Sequence, residues 1–118
     1  MDKRNQQAYA KAAEENKTST KIIRNTGSNG DDYYIKPYEN VVVVYNSASW
    51  TQDLFLPRVA EAKGMILHIV VPDYGGGGTI YDNGDTLADW SDLNMNADNE
   101  YATLRCTGRQ WIVLKSDM

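Results

Sequence analysis

The chain has 118 residues and one cysteine, so it offers one modest domain and neither an internal disulfide nor a Cys-based zinc centre. Charge is split along it: residues 1–30 carry +3 and residues 31–118 carry −7, giving the net −4. An acidic body repels a phosphate backbone, which argues against nucleic acid as a partner, and no apolar run approaches the roughly 20 residues that a membrane helix needs.

The first stretch, MDKRNQQAYAKAAEEN, has basic residues with no apolar run behind them, so it does not read as a secretory signal. A soluble protein made in a reducing compartment is the expectation. The stretch is rich in alanine, with Asp2 available as a cap, and predicts a short helix over 2–16. Tyr9 is its one large apolar residue, so the helix has little to bury and is marginal alone. Residues 17–32, KTSTKIIRNTGSNGDD, read as an extended linker with Ile22 and Ile23 as the one sticky point. Residues 1–32 are therefore expected to be an arm, and 33–118 the body.

From Tyr33 the pattern turns to β. Tyr33–Ile35 and Val41–Tyr45 are rich in aromatic and β-branched residues, separated by Pro37. Residues 52–56 alternate and end at Pro57, which cannot donate to a ladder. RVAEAK (58–63) predicts a turn or a single helical turn closed by Gly64. Met65–Val71 is apolar on both faces except for His68, which predicts a central strand or one buried at a subunit contact.

PDYGGGGTIYDNGD follows at 72–85. A phosphate-binding loop needs a lysine and a hydroxyl residue after its last glycine, and a dinucleotide fingerprint needs a helix there. Thr79-Ile80-Tyr81 and another turn stand there instead, so two bends around one short strand are predicted. Residues 86–100 are acidic and irregular. Tyr101–Cys106 and Trp111–Lys115 flank Thr107-Gly108-Arg109-Gln110, a hairpin with glycine in its turn. About seven short strands with a turn every eight to twelve residues predict a mainly β fold, a small antiparallel sandwich or barrel with an extended, partly helical N-terminal arm.

Candidate chemistry is thin. Asp82, Asp85, Asp89, Asp92 and Asp98 fall in one segment but miss the alternation, glycine and distal Glu of a calcium loop, so solvated acids are the simpler reading. His68 is the single histidine and has no evident triad partner. Cys106 lies on an alternating strand and reads as a small buried hydrophobe. No catalytic residue, metal ligand or cofactor is expected. The twelve aromatics, eight of them Tyr, suit a protein interface better than a sugar platform, because no polar constellation accompanies them.

Leu56-Pro57, Ala60 to Ala62, Lys63-Gly64, Met65–Val71, Thr107-Gly108 and Trp111–Leu114 together resemble a module common in tailed-bacteriophage virion proteins. In it a strand ending in Leu-Pro leads through an Ala-rich turn to a Lys-Gly pair and a long apolar strand. A Gly-containing hairpin and a Trp-initiated strand close it. The resemblance covers residues 41 to 115 and implies a trimeric β-domain of a capsid or fibre rather than a catalyst. A chain of this length suits a capsid decoration (cement) protein on the virion surface, made in the host cytoplasm. Its expected partners are the major capsid protein and two further copies of itself. The arm would bind through Tyr9, Ile22, Ile23 and Arg24, and the trimer would form through Met65, Leu67, His68, Ile69 and Trp111. A fibre or baseplate domain gripping host glycans through Tyr and Asp residues is the alternative, and a carboxylate-dependent glycosidase the weakest rival.

Overall fold

The computed structural model describes residues 19–25, 32–46, 51–73, 75, 77–84 and 92–118. Their strands are β1 (Thr20–Asn25), β2 (Tyr33–Tyr34), β3 (Val41–Asn46), β4 (Leu54–Phe55), β5 (Ile66–Asp73), β6 (Gly78–Tyr81), β7 (Leu93–Met95), β8 (Glu100–Cys106) and β9 (Trp111–Ser116). One helical turn, α1 (Val59–Ala62), follows β4. The expected helix over 2–16, and Tyr9 with it, lie outside the described residues.

The chain is mainly β, as its composition predicts, but its pairing is not that of an antiparallel sandwich or barrel. A five-stranded sheet runs β1-β3-β5-β8-β9 and a four-stranded sheet runs β2-β4-β6-β7. The first six strands alternate between the two sheets, and each lies parallel to the strand two before it. The chain thus winds through three rungs of a parallel coil. Parallel strands need a long crossover between them. Here each crossover is the pass through the opposite sheet, so no connecting helix is required. The last three strands pair antiparallel: β7 to β6, β8 to β5, and β9 to β8.

The first two rungs keep one spacing. Thr20 pairs with Val41 and Asn25 with Asn46 in the larger sheet, and Tyr33 pairs with Leu54 in the smaller, all 21 residues apart. The next step is longer, with Val41 beside His68 and Leu54 beside Ile80. Its extra length is the segment carrying α1, inserted between β4 and β5. Gly64, at φ +83, ends that insertion, and its N–H donates to the Cys106 carbonyl at 2.8 Å. The segment read as a linker therefore contributes β1 to the sheet: Ile22, Ile23 and their neighbours find a β-branched partner strand 21 residues on.

The core lies between the sheets. On β3 every second residue is buried, so Val42 and Val44 point inward, and Leu67, Ile69 and Val71 of β5 join them. Leu54, Ile80 and Met95 close the layer from the smaller sheet. Each such side chain contributes about 1.5–3 kcal/mol by leaving water. Trp111 seals one end, its Nε1–H donating to the Pro57 carbonyl at 2.9 Å. Cys106 is fully buried, as expected of a small hydrophobe.

Of the glycine run, Gly75 and Gly77 lie between β5 and β6 and Gly78 opens β6, the short strand read there. The Gly77 carbonyl accepts the Gln52 N–H and the Asn46 side-chain amide, both at 3.1 Å. A Cβ on Gly78 would lie 1.9 Å from the Gln52 carbonyl oxygen, so only glycine lets the two rungs approach this closely. After β6, Asn83 and Gly84 both adopt positive φ, and the Asp82 carboxylate accepts the Gly84 N–H at 2.9 Å. The hairpin at Thr107–Gln110 is present, with Gly108 at φ +93.

Candidate interaction surface

Parallel registry builds rows of side chains across the outside of each sheet, and the two outsides differ. On the larger sheet Ile22, Val43, Val70 and Tyr101 stand in one row. The next row runs Thr20, Val41, His68, Thr103 and Lys115. A third joins Ile66, Arg105 and Ile112. The result is an aliphatic patch with Ile22 51% and Ile66 40% exposed, interrupted by the His68 row and by Arg105. Charges border it: the Arg24 guanidinium lies 4.7 Å from the Tyr45 ring centroid, and Lys115 Nζ 5.7 Å from that of Tyr101. His68 stands exposed within the patch, its Nδ1 3.0 Å from Thr103 Oγ1.

On the smaller sheet the parallel register stacks aromatic rings. Tyr34 and Phe55 lie 4.6 Å apart at 14°, and Phe55 and Tyr81 5.0 Å apart at 24°. Beside this ladder runs a polar row. The Asp53 carboxylate accepts the Thr79 N–H at 2.9 Å, and Thr79 Oγ1 donates to Asn94 Oδ1 at 3.1 Å.

The two buried carboxylates tie loops down. Glu39 accepts the Tyr33 phenol at 2.6 and 2.7 Å and the Lys36 N–H at 2.7 Å. Burial first, then the hydrogen bond and charge of Glu39, push the Tyr33 phenol well above the ordinary tyrosine range. Glu100 accepts the N–H groups of Asn96 and Ala97 at 2.5 Å, closing the turn between β7 and β8. Among the described residues, no group of three or more His, Cys, Asp or Glu is placed to hold a metal ion. Asp92 and Asp98 are exposed, while Asp85 and Asp89 lie outside the described residues.

Of the residues expected at a trimer contact, Met65, Leu67, Ile69 and Trp111 are buried in the chain's own core. Their apolar area is spent inside the chain and offers nothing to a second copy. The reason is the strand's period of two. Leu67 and Ile69 point inward from a central strand, and the outward positions between and beside them are Ile66, His68 and Val70. His68 alone of that expected set is exposed. Of the expected arm contacts, Ile22 is exposed on the patch, Ile23 packs against the core, and Arg24 covers Tyr45. Ile66, Val70 and Val43 lie outside that expected set. The 21-residue recurrence that sets Tyr-Tyr-Ile (33–35) over Leu-Phe-Leu (54–56) also sets Ile22 beside Val43, but the α1 insertion breaks the count before Ile66 and Val70.

Comparison of the chain with protein-family models, with curated proteins and with solved structures gives no match in any of the three.

Proposed function

We propose that the chain is a non-enzymatic structural component of a tailed-phage virion, a capsid decoration protein that self-associates as a trimer through the outside of its larger sheet. One observation carries this reading: Ile22 and Ile66 stand exposed on the outside of that sheet, in rows with the half-buried Val43, Val70 and Ile112. Apolar side chains grouped on an outer sheet face suit a protein contact. The sequence resemblance across 41–115 supplies the virion setting and the second copy as the occupant. Residues 1–18 then reach the major capsid protein, and three such attachments raise the apparent affinity well above that of one. A specific contact buries about 800 Å² per partner, which a patch spanning several strands can supply.

The test uses the purified full chain and capsids lacking it. Sedimentation should give a trimeric mass, and the protein should bind the capsids. Val70→Lys should leave the fold intact and lower the association constant at least a hundredfold. Deleting residues 1–18, which spares β1, should abolish capsid binding while leaving the trimer. A monomer at 100 µM together with no capsid binding would overturn the reading.

A second reading, a fibre or baseplate module for host glycans, is favoured by the aromatic ladder and its polar flank. The rings stack on one another, however, so the ladder offers chiefly the outer face of Tyr34, 49% exposed, to a sugar. Glycan-array binding lost on Tyr34→Ala would establish it.

A further inference from the structure

We propose that Lys21 acts as a stop at the open end of the coil: its inward-facing charge keeps a second chain from stacking a further rung on β1 and β2. The inference is independent of the self-association reading above.

The first rung is an open end. Among the described residues, β1 is the edge strand of the larger sheet and β2 that of the smaller, so each pairs on one side. An edge strand presents a row of unused N–H and C=O groups, which is a template for another strand. β1 holds Ile22 and Ile23 and has neither proline nor glycine, so its backbone suits such pairing.

Register shows what opposes it. The inward row of the larger sheet begins at Lys21 and continues through Val42, Ile69 and Ala102, each of the three at most 1% exposed. The facing row of the smaller sheet begins at Tyr33 and continues through Leu54 and Ile80, both fully buried. Positions that are aliphatic on the inner rungs are thus an ammonium and a phenol on the first. Lys21 is half-buried, and its Nζ lies 5.2 Å from the Tyr33 ring centroid. Glu39, the buried carboxylate of this end, is engaged by the Tyr33 phenol and the Lys36 N–H. Thr20, Ile22 and Arg24 alternate with Lys21 and are exposed on the other face.

A rung laid over β1 and β2 would enclose the Lys21 ammonium between the sheets, beside a row of aliphatic side chains that offers no acceptor. Burying an unpaired charge is costly, and an inward-pointing charge is one of the devices that blunt an edge strand. With the end open, the long stem lets the ammonium keep to the rim. Stacked-repeat proteins need a terminal unit that differs from the inner ones in this way. A copied rung placed within the stack would carry an aliphatic residue here, as the inner rungs do.

The experiment is sedimentation of the full chain at pH 7.5 and up to 100 µM, in a Val70→Lys background that removes contact through the outside of the larger sheet. Lys21→Val, and Lys21→Met, which keeps a long stem and loses the charge, should each raise the mean mass at least twofold over the Val70→Lys parent. Circular dichroism should show the β signal retained. Thr20→Val adds an aliphatic to the outward side of the same strand and should leave the mass unchanged. Folded Lys21 variants that keep the parent's mass overturn the stop, as does an equal rise with Thr20→Val. Every variant is compared with the same parent, so the outcome does not depend on whether the wild type self-associates.

Discussion

The outsides of the two sheets are built by one device from different side chains. In both, parallel pairing puts like on like across successive rungs: valine and isoleucine on the larger sheet, aromatic rings on the smaller. Rings have faces, and at 4.6–5.0 Å Tyr34, Phe55 and Tyr81 cover one another. Branched aliphatics have none to stack, yet Ile22, Val43 and Val70 line up to the same exposure: Ile22 is 51% exposed and Tyr34 49%, and the next two residues of each row are half-buried. The same registry thus stacks rings on one face and aligns branched aliphatics on the other.

The sharpest way to break this comparison is along β5 itself. Leu67→Ala removes an inward side chain and should cost about 2–5 kcal/mol of stability, read by urea unfolding. Val70→Lys, three residues on, half-buried and facing out, should cost less stability than Leu67→Ala and lower the association constant at least a hundredfold instead. Equal losses of stability in the two variants would erase the distinction between inner and outer faces.

The ladder can be dissected next. Phe55 has a ring on each side and Tyr34 on one. At about 0.5–1.5 kcal/mol per aromatic pair beyond area burial, Phe55→Ala should destabilise more than Tyr34→Ala by at least one such pair. Tyr34→Ala costing as much as Phe55→Ala would mean that the rings act independently.

The smallest effect concerns the phenol beneath the ladder. The fold raises the titration of Tyr33 above that of the unfolded chain, through burial and Glu39. Its contribution is then complete below about pH 10, the ordinary tyrosine value, and is lost as pH rises through the raised folded value. Thermal unfolding followed from pH 9 upward should show a fall in the wild type that is shallower in Tyr33→Phe.

Much of the β content was legible in the sequence. The runs at 41–45, 65–71, 101–106 and 111–115 are strands within a residue or two of the read limits, because β-branched patterning and turn residues act locally. The coil was not, because its period shows cleanly only once. Thr20–Asn25 pairs with Val41–Asn46 and Tyr33–Tyr34 with Leu54–Phe55 at a spacing of 21, and the insertion of α1 then breaks the count. The patch was obscured for a related reason. Ile66 and Val70 are as apolar as Leu67 and Ile69, so hydropathy cannot say which set faces in. Only the neighbouring strands decide that, and their register is not written within β5. His68 was visible as the odd residue of its strand, but its side of the sheet was not.

The 21-residue step from the first rung to the second, held in both sheets, gives the molecule a built-in ruler. A turn that recurs at fixed spacing and touches just the turns beside it is a unit that can be copied, as in other stacked-repeat proteins. Each added copy of a segment such as 20–40 would raise the stack by about 4.8 Å, the separation of neighbouring strands. Height could thus be adjusted by whole increments through duplication, while the antiparallel lid at the other end stayed untouched.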